Sequence, residues 1–383
     1  MNSSRGSSSR GTNSNREREA EKEGRIEGML SILQALEALV RSESPTEDIL
    51  ACNEVMGVAA KVAQEILGSP AKILQIEGRP VFWWGDENPA IVLLGHLDTV
   101  WPKGSFQPLW DVTGDVIRGP GVYDMKAGFV QALFAMRGIS GSVALVATSD
   151  EETGSVTSRQ FIEKLARQSK AVLVLEASLD GKVKTGRKGT AMYQVRVHGR
   201  AAHAGLEPEK GINASVEMAH LILKLAELES AEHGTTVVPT VLRSGNTTNT
   251  VPDLAVLDID ARSFSQVELL RVDAMIRTFQ ASHPEARIEI QGGLNRPPLE
   301  PSSTKDLFES AQKVATSMGF TLEGAAVGGA SDGNFAAATG ARVLDGMGAV
   351  GAGAHAHNEW ASVSALESRT AFLHNFIAEL LND

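Results

Sequence analysis

The 383-residue chain has one cysteine, no long apolar run and no surplus of positive charge. Each absence excludes something. With Cys52 alone, an internal disulfide is ruled out, a cysteine-ligated zinc site is disfavoured, and the thiol reads as a small buried hydrophobe. No uninterrupted apolar stretch reaches the roughly 18 to 20 residues that a membrane-spanning helix needs. Lys and Arg number 36 against 47 Asp and Glu, a formal charge of −11, so the surface repels nucleic acid in general and no basic stripe relieves this. What is present is a 42% hydrophobic fraction, enough to bury a sizeable core. The first two dozen residues contain Ser, Asn, Gly and charge with almost no apolar side chain, and they lack the central apolar stretch of a secretory signal. Residues 1–24 therefore read as a disordered tail, and the default address is the cytoplasm.

Helical spacing of Ile26, Met29, Leu33, Leu36 and Val40 predicts a first helix, and a second follows from about Asp48 to Leu67. Three short apolar runs, IVLLG (91–95), VALVAT (143–148) and AVLVLE (171–176), then read as buried strands. They alternate with helical stretches at 125–136 and 155–168. This pattern predicts an α/β fold with a mainly parallel sheet covered by helices on both faces. The texture changes near Gly186. AMYQVRVHG (191–199), AVLDIDARS (255–263) and ARIEIQ (286–291) alternate as half-exposed strands do, with helices at about 211–229 and 265–282. The order fits a β–α–β–β–α–β sandwich of one antiparallel sheet and two helices. After Pro297-Pro298 the first texture resumes with a helix at about 305–318, the strand ARVLDG and a last helix from about Ala365. The expected organisation is a discontinuous domain of residues 25–187 and 296–383 interrupted by an α+β insertion, 188–295.

Polar residues with chemical potential gather at the C-terminal ends of the core strands, where open α/β sheets hold their sites. His96 leaves the strand 91–95 at its tip, and Asp98 follows two residues later on the same side. A metal-binding histidine usually needs a carboxylate on its second nitrogen, a part Asp98 can take. Asp124 stands before a helix and could equally be its N-cap. Glu151 and Glu152 follow the strand 143–148, where solvated loop charge is the ordinary reading. Glu176 closes a buried strand and must find a partner, because an unpaired buried carboxylate is expensive. His355 and His357 lie in the glycine-rich GAGAHAHNEW. Together these histidines and carboxylates suit two divalent ions sharing one carboxylate. Such a pair can acidify a water and polarise a carbonyl, and a nearby unligated Glu can collect the proton.

The motifs GHLDTV, GPGVYDMKAG, DEETGS, GRAAHAG, NTVPD…DIDAR, GGASD and GAGAHAHNEW, in this order, resemble those of the dinuclear zinc exopeptidases. That group includes glutamate carboxypeptidase of the carboxypeptidase G type, aminoacylase and succinyl-diaminopimelate desuccinylase. The resemblance spans residue 26 to the end and is nearest to the glutamate carboxypeptidase branch, on GRKGTA, GRAAHAG and the ending. It implies that His96 and Glu176 bind one zinc, Glu152 and His355 the other, and that Asp124 bridges them. His357 stands where the family often has proline and is the alternative histidine. Glu151 becomes the general base acting on a water bridging the zinc ions, Asp98 orients His96, and the peptide bond after Asp124 is cis. Cobalt or manganese can occupy similar ligand sets. The inserted domain becomes a lid and dimerisation domain, and the protein a homodimer. His203 of that lid stabilises the oxyanion in the partner subunit's site, while Asn249, Arg262, Gly328 and Gly329 line the cleft and receive the substrate carboxylate. The implied activity is a metallopeptidase cleaving the amide bond of a C-terminal or N-acylated amino acid in a small peptide or N-acyl substrate. The alternatives are an N-acetyl, N-succinyl or N-carbamoyl amino acid deacylase and a non-catalytic dimeric binding protein.

Overall fold

The computed structural model describes residues 30–382. The expected N-terminal tail and the first turns of the first expected helix, including Ile26 and Met29, lie outside that range. The first described helix, Ile32–Arg41, starts on a capping box formed by Ser31 and Gln34, and Ile49–Leu67 starts on Asp48, whose carboxylate accepts the Ala51 N–H. Among the described residues no helix is long and apolar enough to cross a membrane.

A six-stranded sheet runs in the spatial order Lys72–Ile76, Arg79–Gly85, Val143–Thr148, Ile91–His96, Ala171–Val174 and Val343–Leu344. The last four strands are mutually parallel, while the hairpin of the first two joins antiparallel at the other edge. Period-two alternation explains the layers. Leu93, Leu145 and Leu173 face a cluster that contains Leu39, Val55, Phe129, Leu307 and Phe376 from five helices. Val92, Val146 and Val172 face the opposite cluster, with Ile162, Leu165 and Phe335. Both faces are buried, so these strands read as continuous apolar runs.

The second sheet is antiparallel, ordered Thr236–Ser244, Leu254–Ser263, Gly189–His198 and Arg287–Arg296. One face is covered by the helices Ala214–Ala226 and Gln266–Arg277, through Val195, Val197, Ile259, Met218, Leu221, Leu269 and Val272. Its edge strand Thr236–Ser244 escaped the reading of alternation, because it is exposed nearly throughout and bulges between Pro239 and Val241.

Two expected helices start late, and both delays shape the site. The stretch at 125–136 becomes a helix only from Ala127, after a distorted turn in which Asp124 and Met125 have non-helical dihedrals. Asp124 is therefore no N-cap, and the Asp124–Met125 peptide is cis. The stretch at 155–168 is helical from Arg159, because one Asp150 carboxylate oxygen takes the Thr157 and Ser158 N–H groups and the Thr157 hydroxyl. Gly128 lets the helix Ala127–Ala135 lie on the next strand: a Cβ there would sit 2.0 Å from the Leu175 carbonyl oxygen. That close approach puts Asp124 beside Glu176.

Candidate metal centre

His96 ends its strand almost wholly buried, at 1% exposure. Its Nδ1 lies 3.1 Å from the Asp98 carbonyl oxygen and 3.3 Å from Asp98 Oδ1, which fixes Nδ1 as the protonated nitrogen and turns Nε2 inward. Asp98, fully buried, is itself held at Oδ2 by the Thr46 hydroxyl and the Glu152 N–H. His96 Nε2 has no hydrogen-bond partner. It faces Asp124 Oδ1 at 3.5 Å and Glu176 Oε1 at 3.6 Å.

His355 approaches from the opposite side, out of a loop with φ +62° at this residue. Its Nε2 lies 3.0 Å from Glu152 Oε2 and 3.4 Å from Asp124 Oδ2. Asp124 thus offers one oxygen to each histidine. His357 turns away instead: its ring centroid is 4.8 Å from that of Trp101 and 5.9 Å from that of Phe106.

The electrostatics describe a cluster short of positive charge. Burial disfavours the charged form of His96, yet the carboxylates of Asp124, Asp98 and Glu176 outweigh it and hold the ring well above the usual histidine range. His355 is pushed up to about 10 by Asp124 and Glu152. Burial raises the Asp124 carboxyl, but the two imidazoles more than offset it and hold it far below the usual carboxylate range. An orphaned buried imidazole nitrogen and three convergent carboxylates, one shared, fit two divalent cations.

Glu151 stands at the rim of this set, its donor atom within 4.8 Å of those of His96 and Glu176. Burial pushes its carboxyl up to about 8, with the Arg296 guanidinium and the His96 charge opposing. Arg296 Nη1 lies 2.6 Å from Glu151 Oε1.

The sequence pattern of peptidase family M20/M25/M40 matches residues 92–379. The chain belongs to that family. It is an enzyme, a metal-dependent hydrolase of amide bonds. It is 30% identical over 324 residues to carboxypeptidase G2 of Pseudomonas sp. (strain RS-16), covering 80% of this chain and 76% of that one. It is 25% identical over 386 residues to succinyl-diaminopimelate desuccinylase of Thioalkalivibrio sulfidiphilus, covering 92% and 100%. Its fold is that of a tripeptidase from Staphylococcus aureus, with a TM-score of 0.77 at 21% identity over 93% of this chain and 100% of the other. The aminopeptidase PepT of Bacillus cereus gives 0.76 at 22%, over 91% and 98%.

The other candidates, His203, Asn249, Arg262, Gly328 and Gly329, find their partners among themselves and their neighbours. His203 sits on a two-stranded ladder, paired to Thr250, and Asn249 immediately precedes that partner strand, its carbonyl accepting the Ala204 N–H. His203 is exposed, and its Nδ1 accepts the Gly205 and Leu206 N–H groups, which leaves the proton on Nε2. Arg262 spends Nε and Nη2 on Asp260, at 2.8 and 3.0 Å, and gives Nη1 to the Gly328 carbonyl. Gly328 and Gly329 are exposed, and it is their carbonyls that meet arginines: Gly329 accepts from Arg187.

Three supporting residues went unnoticed in the sequence. Buried Glu359 gathers the Tyr123, Asp124 and Gly121 N–H groups and the Trp101 indole N–H, so it shapes the loop that carries Asp124. It stands within the recognised GAGAHAHNEW motif, the one available signal. Arg296 and Arg187 had none beyond their occurrence in RPP and GRKG.

Proposed function

We propose that the protein hydrolyses the amide bond of a small peptide or N-acyl amino acid bearing a free α-carboxylate, as a carboxypeptidase with two zinc ions and Glu151 as general base. The observation that carries this reading is the placement of Asp124, one oxygen toward each of two histidines, with the buried Glu151 beside them. His96 and Glu176 would hold one ion, His355 and Glu152 the other, and Asp124 both. When bound, the ions supply Lewis-acid polarisation of the scissile carbonyl and a water of lowered pKa.

The remaining work falls to the chain's own groups. Glu151 Oε2 is free of Arg296 and would take the proton of the attacking water, then hand it to the leaving amine. Asp98 keeps His96 in the tautomer that offers Nε2. Arg262, with the Gly328–Gly329 backbone, would anchor the substrate carboxylate, and this requires Asp260 to yield part of its hold. His203 carries its proton on Nε2 and would donate to the oxyanion in a second subunit. We assign residues 188–295 as the lid and dimerisation domain. Its exposed edge strand supports this, with Val238 and Leu242 at 46% and 54% exposure, an open ladder edge suited to another copy.

The similarity to desuccinylases over 92% of the chain supports a second reading, deacylation of N-succinyl or other N-acyl amino acids. A panel of zinc-loaded assays separates the two: dipeptides and benzoyl-amino acids on one side, N-succinyl, N-acetyl and N-carbamoyl amino acids on the other. Absence of hydrolysis across the whole panel, or activity that survives complete chelation, would sink both.

A further inference from the structure

Arg187 ends the strand Val183–Arg187 and is 3% exposed. Its planar fork is used on three sides. Nε and Nη2 hold the two oxygens of Asp345 at 2.7 and 3.0 Å, and Nη1 donates to the Gly329 and Ala330 carbonyls at 3.1 and 3.2 Å. Nη2 also stands 3.3 Å from Glu176 Oε2. Asp345 is fully buried and held in turn by the Ser331 hydroxyl and the Gly346 N–H. Lys184 Nζ lies 3.9 Å from the same Glu176 oxygen.

Charge balance alone does not require the Glu176 contact, because Asp345 already neutralises Arg187. Its effect is geometric. A guanidinium pinned at Asp345 and at two carbonyls cannot swing, so Glu176 Oε2 meets a rigid partner and only Oε1 faces His96 Nε2. The geometry points to Arg187, with Asp345, as a positioning pair that restricts Glu176 to one-oxygen ligation at the His96 end of the metal centre and ties it to the Gly329–Ala330 backbone. This rests on the proposed metal centre, and it adds a determinant outside the ligand set.

The test is a competition titration of the metal-free full-length protein with Zn2+ against a chromogenic chelator, repeated with Co2+ to read its visible absorption. In the wild type two binding steps are expected. Arg187→Met weakens one of them by about 10- to 100-fold, the range typical when a group supporting a ligand is lost, and leaves the other near its original value. The Co2+ band of the weakened site shifts as Glu176 becomes free to chelate through both oxygens. Arg187→Met strands the Asp345 charge, so Arg187→Met/Asp345→Asn serves where the single variant does not fold. Arg187→Lys keeps the charge but lacks the fork, and the same loss is expected. Folded variants with two unchanged steps, or with both steps equally weakened, overturn the inference. A wild type that takes up no metal overturns the metal-centre reading with it, whereas two ions bound with the same affinities in wild type and variants reject the Arg187 role alone.

Discussion

The Arg296 guanidinium, on the last strand of the antiparallel sheet, meets the Glu151 carboxylate 2.6 Å away, in the short turn Glu151–Thr153 that follows the strand Val143–Thr148 of the other sheet. Its Nη2 also donates to the Glu151 carbonyl at 2.9 Å and to the Ser155 hydroxyl at 3.1 Å, and Ser155 in turn donates to buried Asp332. The candidate base is thus held from the antiparallel sheet, so the two sheets are coupled at Glu151.

Removing that clamp should cost both stability and rate. In Arg296→Met, at a pH above about 8 where the Glu151 carboxyl is ionised, its charge loses its nearest counter-charge while remaining buried, a change typically worth about 3–5 kcal/mol and less at neutral pH, where the carboxyl takes up a proton instead. Urea unfolding of the metal-free protein should show a loss of that order. The Glu151 carboxyl, already raised by burial, should rise further, so the acid limb of the kcat–pH profile should move to higher pH and activity at neutral pH should fall. An unmoved limb would separate Arg296 from the base.

Glu151→Gln keeps size and burial and removes proton acceptance. We expect kcat to fall by about 10²- to 10⁴-fold, with zinc content by elemental analysis unchanged. Near-normal turnover would reassign the base.

The two histidines of GAGAHAHNEW should part company. His355→Ala should lose one metal equivalent, since His355 Nε2 faces Glu152 and Asp124. His357→Ala should keep both ions and lower Tm modestly, because its ring packs on Trp101 and Phe106.

Asp98→Asn should weaken metal binding by about 10- to 100-fold while preserving the fold, through loss of control over the His96 tautomer. A chelator titration with circular dichroism as the fold check reads both outcomes.

Cys52 is fully buried, and burial, aided by the Asp98 charge, pushes its thiol up to about 12 from an ordinary 9.0. An acid raised in the folded state stabilises below its unfolded value, and that contribution fades as pH climbs from about 9 toward 12. Native protein at pH 8 should therefore resist a thiol reagent, and the unfolded chain should take up one equivalent. Rapid labelling of the native protein would show that the helix Ile49–Leu67 opens.

Much of this was legible in the chain. IVLLG, VALVAT and AVLVLE announced buried parallel strands because both of their faces are covered, and ligand-type residues at their tips announced the site. The hairpin Lys72–Gly85 and the strand Thr236–Ser244 were not legible, since one mixes exposed and buried positions and the other lies on an open edge. The helices begin at Ala127 and Arg159, later than local propensity places them at 125 and 155, because the turn at Asp124 and the Asp150 carboxylate override it.

Sequence alone determined the inventory: strand tips at His96, Glu151 and Glu176, a glycine-rich loop with two histidines, and an alternating insertion. These follow from periodicity and from the cost of burying unpaired charge, which are local rules. Only the tertiary structure decided which histidine faces Asp124, that Arg262 is held by Asp260, and that Arg187 and Arg296 lean on Glu176 and Glu151. Those pairings join residues 11 to 231 positions apart, or turn on a side-chain torsion, and neither leaves a periodic mark on the chain.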